Sequence, residues 1–357
     1  MKTDGTPLIG ILTARKSEDT IAGNGPLFIN IQKKLISLNG LSFVFIPEDV
    51  KDDYIYGYFY SPEENRWKKK SFPFPDLVYN RIPFRASEQE EKSQWLFSLL
   101  KKKKIPFFNP CFIDKYELYQ LLKGDDILQY YLPKTILVQG HNELLEFLME
   151  FGGIYLKPTQ SSKGKGIVRL RMDGPSGIQL DSILKQETYS SFTHFWEEWN
   201  EELLKKRYIA QEEVRSAEYE GKRFDFRILA HANHDDYTLS GVGVRLSQEQ
   251  EITTHIPSGG SLLPYQLLKS KEHDVFFQTI IPSIGKSLSN YFGYFGEFTI
   301  DAGVSKTGRY YIYEVNSKPM SFDEEEIEKK KIENLCRLFL QLIEESSSAG
   351  KKRFPSS

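Results

Sequence analysis

The stretch GEFTIDAGVSKTGRYYIYEVNSKP, residues 296–319, predicts two β-strands joined by a short turn. Aromatic and β-branched residues recur in both halves, which is typical of strands. Side chains of a strand alternate between its two faces, so Glu314 and Asn316 lie on the same side of the second strand. A carboxylate and a carboxamide placed in this way suit either a hard cation such as Mg²⁺ or an exposed polar edge of a sheet.

The first strand of this pair carries further oxygen-bearing side chains. Glu297, Thr299 and Asp301 share one of its faces by the same alternation. If the two strands pair in register, Asp301, Glu314 and Asn316 bring three oxygen ligands to one cation. Glu297 is a fourth candidate, and it ranks lower because it lies nearer the start of its strand.

A glycine- and lysine-rich loop, KPTQSSKGKGI (residues 157–167), joins two other predicted strands. Lys157 ends the first of them, and Gly164 and Gly166 give the backbone the freedom to close over a ligand. Four residues of the loop add hydroxyl groups and positive charge, which suit a polyphosphate: Ser161, Ser162, Lys163 and Lys165. The loop matches neither a Walker A motif nor a Rossmann fingerprint, so the alternative is a plain mobile turn.

The segment RYIAQEEVRSAE, residues 207–218, predicts a strand that ends at a binding edge. Backbone C=O and N–H groups of Gln211, Glu212, Glu213 and Val214 can face the edge of an adenine ring. Glu218, beyond the strand, can accept hydrogen bonds from ribose hydroxyls.

Two arginines follow on a predicted β-hairpin. In FDFRI (residues 224–228), Asp225 and Arg227 share one face of the strand, and Arg245 lies on its partner strand. Two guanidinium groups that converge on one pocket suit a phosphate or a carboxylate, because each can bind two oxygens at once. The alternative for each arginine alone is a surface salt bridge, which requires no function.

The composition excludes several classes of protein. The chain has 357 residues, 39% of them hydrophobic and 27% charged, with a net charge of −2, which argues against a nucleic-acid-coating or polybasic membrane protein. It contains only Cys111 and Cys336, so a disulfide scaffold and a cysteine zinc site are excluded. The first residues lack a signal-peptide pattern, and no stretch has the length of a membrane span. We therefore expect a cytoplasmic protein with neither a nucleic acid nor a membrane as partner, and leave oligomer formation open.

The alternation of elements predicts two domains. Strands alternate with helices over residues 1–110, which indicates a small parallel α/β domain. Later strands come in antiparallel pairs over residues 111–345, which divide into a first part, 115–206, that holds the lid, and a second part, 207–330, that holds the hinge and the metal ligands. Polar residues and glycine at 346–357 predict a disordered tail.

Taken in order along residues 110–330, these motifs resemble the ATP-grasp superfamily. The resemblance implies an α/β (α+β) ATP-grasp fold behind a smaller N-terminal domain, with ATP and one or two Mg²⁺ ions as ligands. It assigns nucleotide contacts to Lys115 in DKYELYQLL, Lys157, the lid (162–166), Gln211, Glu212, Glu213, Val214 and Glu218. It assigns catalytic roles on the γ-phosphate and an acyl phosphate to Arg227 and Arg245, together with Lys157, and metal binding to Asp301, Glu314 and Asn316.

Within that superfamily, GEFTIDAG, YIYEVNSKP and FDFRIL are similar to the YheC/YheD group of spore-coat-associated proteins. The resemblance to the ATP-grasp superfamily, rather than to this group, implies an ATP-dependent carboxylate–amine ligase that acts through an acyl phosphate. Its substrates are an unknown carboxylate and an unknown amine, such as an amino acid, a peptide or a coat protein. The alternatives are an ATP-binding assembly protein of the spore coat without turnover and a phosphotransferase. Related ligases often carry Arg-x-Asn where this chain has Thr253 and His255, and Lys318 adds a charge beside the metal ligands.

Overall fold

The computed structural model describes residues 5–17, 20–161, 164–183, 185–247 and 260–348. These residues form a mixed α/β structure built on three large sheets. The elements of the N-terminal part are, in chain order, β1 (Leu8–Leu12), β2 (Arg15–Ser17), β3 (Thr20–Ile21), α1 (Gly25–Ser37), β4 (Leu41–Phe45), β5 (Ile55–Ser61), β6 (Arg66–Phe72), β7 (Leu77–Asn80), α2 (Arg85–Gln89), α3 (Glu91–Lys102) and β8 (Phe107–Phe108).

The first sheet has the strand order β6-β5-β4-β1-β7-β8. Strands β4, β1, β7 and β8 run parallel, as the alternation of strands and helices predicts, and the β5–β6 hairpin extends this sheet in the antiparallel sense. All five residues of β1 are buried, because the sheet is covered on both faces.

The second part of the chain continues in two antiparallel sheets. Its elements are α4 (Lys115–Lys123), β9 (Thr135–Leu137), α5 (His141–Phe151), β10 (Gly153–Pro158), β11 (Val168–Asp173), β12 (Gly177–Asp181), β13 (Gln186–Tyr189), α6 (Phe192–Lys205), β14 (Tyr208–Glu212), β15 (Glu218–Tyr219), β16 (Lys222–Asn233), β17 (Asp236–Leu246), β18 (Ser261–Leu263), α7 (Lys271–Phe292), β19 (Glu297–Val304), β20 (Tyr310–Asn316) and α8 (Glu325–Ser348).

The second sheet has the order β13-β12-β11-β10-β14-β9, and the third has the order β18-β17-β16-β19-β20, with β15 paired to β16. The three strand pairs predicted from sequence, β10–β11, β16–β17 and β19–β20, are all antiparallel neighbours. The mixed α/β class expected from the sequence is therefore confirmed.

One hydrophobic core crosses the predicted boundary at residue 110. Phe339 of α8 lies between the N-terminal and third sheets, with its ring centroid 5.4 Å from that of Tyr79 and 5.8 Å from that of Phe108. The buried cluster around them contains Ile9 and Ile11 of β1 as well as Ile300 of β19. The second sheet instead packs α5 and α6 on a core of its own. The domain boundaries stay a prediction, and the N-terminal part is joined to the third sheet by shared apolar packing.

The C-terminal helix is longer than the sequence predicts. Helix α8 extends to Ser348, so the tail expected from residue 346 begins inside a helix, and residues 349–357 lie outside the described part. Among the described residues, no helix is both long enough and apolar enough to cross a membrane.

Candidate functional site

The predicted metal ligands meet on adjacent strands of the third sheet. Asp301 of β19 pairs directly with Glu314 of β20, and Thr299 pairs with Asn316. Asn316 Nδ2 donates to Asp301 Oδ2 at 3.2 Å, so the amide and the carboxylate face each other. All three predicted ligands are half-buried and line one cavity of about 970 Å³.

A β-bulge beside these residues shapes the same wall. Asp301 pairs with Glu314 but the next residue, Ala302, pairs with Ile312, so Tyr313 is the extra residue on β20. As a result Tyr313 lines the cavity together with its neighbour Glu314. Strict alternation would put these two side chains on opposite faces, so the sequence did not predict Tyr313 as a site residue.

Burial dominates the electrostatics of Asp301. It raises the pKa of this carboxyl group, and neighbouring Glu314 acts in the same direction, while Arg227 and Arg245 oppose the rise. A buried carboxylate next to a second one is destabilised unless a cation is close. Bound Mg²⁺ fits this donor set, because it prefers oxygen ligands and compensates both charges. Among the described residues no group of three or more His, Cys, Asp and Glu could hold a metal, so a site at this position would require the amide of Asn316 as its third ligand.

Two lysines approach the carboxylates from the second sheet and from α4. Lys115 Nζ lies 3.1 Å from Glu314 Oε1 and donates to the carbonyl oxygen of Ser161 at 2.5 Å. Its helix begins there because Asp114 caps the N-terminus and accepts from Tyr116 N at 2.9 Å.

Lys157 lies at the end of β10 and lines the same cavity. Its Nζ donates to Gln211 Oε1 at 2.6 Å. Burial lowers the pKa of Lys157 to about 8, and nearby Lys115 adds to the fall while Glu314 opposes it. An anion at this position would restore the charge of the ammonium group.

Both predicted arginines line the cavity, as the hairpin pattern implies. Arg227 of β16 pairs with Asp301 of β19 on one side and with Gly243 of β17 on the other. Arg245 pairs with Asp225, so the two guanidinium groups start from the same face. Burial lowers the pKa of Arg227, Asp301 opposes the fall, and Arg245 adds to it. Two partly uncompensated cations side by side favour an anionic ligand.

The hinge residues divide between two sides of their strand. Gln211, Glu212 and Val214 line the cavity, whereas the Glu213 carboxylate turns away and accepts from Arg171 Nε at 2.8 Å. The backbone N–H of Glu213 donates to the carbonyl oxygen of Gly153 at 3.0 Å. Within the described residues no backbone acceptor faces the N–H of Val214, which leaves a donor of the kind that an adenine edge requires.

Glu218 is not brought to this cavity. Its carboxylate lies 2.5 Å from Lys306 Nζ, on the rim of a separate depression behind the hinge. Instead Tyr155 and Arg223 complete the hinge end of the cavity, where Arg223 Nη1 donates to Tyr155 Oη at 3.2 Å. Arg223 precedes Asp225 by two residues, so the alternation of β16 could have indicated it.

The lid is described only in part. Ser162 and Lys163 lie outside the described residues, as do Thr253 and His255. Gly164 and Gly166 have backbone φ angles of +71° and +75°, which residues with a side chain rarely adopt. Gly164 also lines the cavity. Lys165 follows in the same turn and is exposed, and neither it nor Gly166 lines the cavity. The glycines thus form a left-handed turn at the cavity mouth.

Glu297 and Lys318, the two additional charged residues, are enclosed by protein groups. Glu297 is fully buried, accepts from Tyr79 Oη and lies 3.3 Å from Arg81 Nη1. Lys318 lines the cavity, but its ammonium group donates to Glu88 and, at 3.2 Å, to Asn80 Oδ1. These contacts make Glu297 a structural partner of the N-terminal sheet rather than a fourth metal ligand.

The chain matches a known protein family and a curated relative. The YheC/D-like ATP-grasp family matches residues 104–343. The chain is 28% identical over 333 residues to endospore coat-associated protein YheD of Bacillus subtilis (strain 168), which covers 88% of this chain and 72% of that protein.

Solved structures match over nearly the whole length. D-alanyl-alanine synthetase A from Vibrio cholerae O1 biovar eltor str. N16961 gives a TM-score of 0.56 at 12% identity, covering 95% of this chain and 98% of that one. The ATP-grasp ligase PsnB, complexed with its minimal precursor, Mg and ADP, gives a TM-score of 0.56 at 12% identity, covering 94% and 97%. Since these identities are low, the structures establish the ATP-grasp fold alone. The family match covers more than half of the chain, and the protein therefore belongs to the YheC/D-like ATP-grasp family.

Proposed function

We propose that this protein is an ATP-dependent ligase that joins a carboxylate to an amine through an acyl phosphate. One observation carries the proposal: Asp301, Glu314 and Asn316 share a single cavity with Lys157 and the two arginines. Carboxylate oxygens for a divalent cation and cationic groups for phosphate are the two requirements of phosphoryl transfer from ATP.

The residues divide the work along the cavity. Gln211, Glu212 and Val214 would face the adenine, and Lys115 and Lys157 would bind phosphate oxygens beneath the glycine turn. Asp301, Glu314 and Asn316 would hold Mg²⁺, which supplies charge neutralisation of the phosphates when bound. The ribose contact assigned to Glu218 stays a prediction that its position behind the hinge does not support.

The chemistry proposed has two steps. A carboxylate oxygen of the first substrate attacks the γ-phosphorus of ATP, so that ADP leaves and an acyl phosphate forms. The amine of the second substrate then attacks the acyl carbon, phosphate leaves with the bond electrons, and the amine proton is released. Arg227 and Arg245 would stabilise the negative charge on the transferred phosphoryl group in both steps.

No covalent intermediate on the protein is required. Burial raises the pKa of Cys111 to about 12, which makes its thiol a poor nucleophile. The cavity volume of about 970 Å³ lies at the upper end of ordinary ligand pockets, so a nucleotide and a second small molecule fit together.

The relative from Bacillus subtilis bears the name endospore coat-associated protein. We extend that association to this chain as part of the proposal, with a cytoplasmic ligase acting on an amino acid, a peptide or a coat component.

The test is a screen of amino acids and short peptides for ADP formation with Mg²⁺ and ATP. A ligase releases ADP and phosphate with an amide product that mass spectrometry identifies. ADP with a phosphorylated substrate would indicate a phosphotransferase instead. Nucleotide binding with no turnover for any amine would favour an assembly protein and overturn the proposal.

A further inference from the structure

The charged side chains that the described N-terminal part contributes to the cavity are all positive. They belong to Lys16, Arg81 and Arg85. The acidic lining residues all come from elsewhere, from the hinge, the third sheet and the loop that follows it: Glu212, Asp225, Asp301, Glu314 and Asp323. We call the surface formed by Lys16, Arg81 and Arg85 the basic wall.

Arg81 is already neutralised by protein groups. Its Nη1 lies 3.3 Å from the buried Glu297 carboxylate, and its Nη2 donates to Pro319 O at 2.8 Å. Arg81 therefore holds the loop after β20 in place, and its charge is not left for a ligand.

Arg85 is different. It donates from Nη2 to the carbonyl oxygen of Ile113 at 2.8 Å, but among the described residues no carboxylate lies within 4.0 Å of its guanidinium group. Burial lowers its pKa, and the more distant Asp114 and Glu88 only partly compensate. A guanidinium group has five N–H donors, so most of them remain for a ligand in the cavity.

The position of Arg85 is fixed by a buried anchor one helical turn later. Glu88, which is 2% exposed, accepts from Asn80 Nδ2 at 3.0 Å and from Phe112 N at 2.9 Å, and it pairs with Lys318. Helix α2 cannot shift without breaking these contacts, so Arg85 is held ready to bind.

The basic wall adjoins the proposed reaction centre. Ile113, which accepts from Arg85, lies two residues before Lys115, and Lys115 contacts Glu314 at 3.1 Å. The exposed side chains of Phe84, which precedes Arg85, and Met320 line the same cavity and offer apolar contact. Arg85, Arg227 and Arg245 all line this one cavity.

We propose that Arg85, which lines the same cavity as Lys16, binds a carboxylate group of the amine substrate, with Lys16 adding positive charge to the cavity. The inference rests on the proposed ligase function and specifies its acceptor: an amine that carries a carboxylate of its own, as a free amino acid or a peptide with a free C-terminus does. Simple amines and diamines should be poorer acceptors, because they carry no group that compensates the positive charge of Arg85 and their own charge is repelled by it. A planar, bidentate contact with a carboxylate suits the guanidinium group.

The experiment compares matched acceptors in the ADP-formation assay. The carboxyl donor is fixed as the amino acid that gives most ADP in the screen, and each acceptor is offered as the free acid and as its carboxamide. The wild-type protein is expected to use the acid at least about tenfold better in kcat/KM, as the loss of one charged hydrogen bond implies. Arg85→Ala should reduce this ratio toward one, Arg85→Lys should keep part of it, and Lys16→Ala should lower it less.

Controls separate this inference from the function on which it rests. Arg66→Ala removes an exposed arginine of the β5–β6 hairpin and should leave the ratio unchanged. The KM for ATP should stay the same in Arg85→Ala. This control shows that the variant is folded, since a misfolded variant would lose nucleotide affinity as well. Equal use of acid and amide by the wild-type protein would overturn the inference and leave the ligase standing. ADP formation without an amide product would overturn both.

Discussion

Asn316 donates from Nδ2 to Oδ2 of Asp301 at 3.2 Å, across the two neighbouring strands β19 and β20. The contact exists because Asp301 and Glu314 are paired in register, with the β-bulge falling one residue further along. In-register pairing was the geometric condition for three oxygen ligands to reach one cation. That condition is met, and the metal-binding role itself stays a prediction.

The first prediction concerns the metal ligands. Glu314→Ala and Asn316→Ala should each lower magnesium-dependent turnover at least about a hundredfold, as the loss of one group that stabilises transition-state charge does. Both side chains are half-buried at a cavity wall, so the fold should tolerate the change. Turnover is measured at several Mg²⁺ concentrations, and circular dichroism reports the folded fraction. Glu64→Ala, which removes an exposed carboxylate of the β5–β6 hairpin that pairs with Arg66 and Lys68, is the matched control. If both variants lose folded protein in proportion to activity, the side chains are structural.

The second prediction concerns Lys157. Lys157→Ala should weaken binding of a non-hydrolysable ATP analogue by about ten- to a hundredfold, because a charged hydrogen bond contributes about 1.5–3 kcal/mol. Calorimetry with Mg²⁺ present measures the Kd. Lys206→Ala removes an exposed lysine that pairs with Glu202 away from the cavity, and it should leave the Kd unchanged. Equal affinities of Lys157→Ala and the wild-type protein would remove Lys157 from the phosphate site.

The third prediction is a pH dependence. Burial lowers the pKa of Lys157 to about 8, so the ammonium group loses its proton as the pH rises through 8. Anion binding favours the protonated form, and the affinity for the ATP analogue should therefore fall between pH 8 and 10. Lys157→Arg should flatten this dependence, since a guanidinium group stays charged over the whole range. A fall in affinity that persists in Lys157→Arg would assign the effect to another group. Lys318 also has a pKa of about 8, but its ammonium group is paired with Glu88.

Much of the candidate site follows from local patterns. Because a strand has a period of two, alternation within β20 predicts that Glu314 and Asn316 share a face. In the same way, alternation within β16 predicts that Asp225 and Arg227 share a face. Hairpin pairing then predicts that Arg245 joins Arg227, since their strands are joined by a short turn. These inferences hold because the residues that each of them relates lie close together in the sequence.

The remaining features depend on contacts that a local pattern does not specify. The bulge at Tyr313 is an insertion in register, which alternation cannot reveal. Glu218 leaves the cavity because its short strand β15 pairs with β16 and its carboxylate meets Lys306, a residue far along the chain. The basic wall likewise results from the packing of the N-terminal sheet against the third sheet, a relationship between distant segments.

The fourth prediction concerns the buried ion pair between Glu88 of α2 and Lys318, which are 2% and 4% exposed as side chains. Glu88→Gln should reduce the free energy of unfolding by about 3–5 kcal/mol, because it leaves a buried ammonium group without its partner. Urea unfolding at pH 7 measures the loss. Glu202→Gln, which breaks an exposed pair with Lys206, should have a much smaller effect.

The pH and a double variant test the same pair further. The pKa of Lys318 in the folded protein is about 8, because of burial, which is below its ordinary value of 10.5. The unfolded chain then binds more protons than the folded one between pH 8 and 10.5, so stability rises with pH in that window, and in Glu88→Gln the rise should begin at a lower pH, because Glu88 no longer raises the pKa of Lys318. Replacing both partners in Glu88→Leu/Lys318→Met should recover most of the loss, since apolar groups of similar volume need no charge partner. A double variant as unstable as Glu88→Gln would instead locate the stabilisation in the other contacts of Glu88, with Asn80 and Phe112.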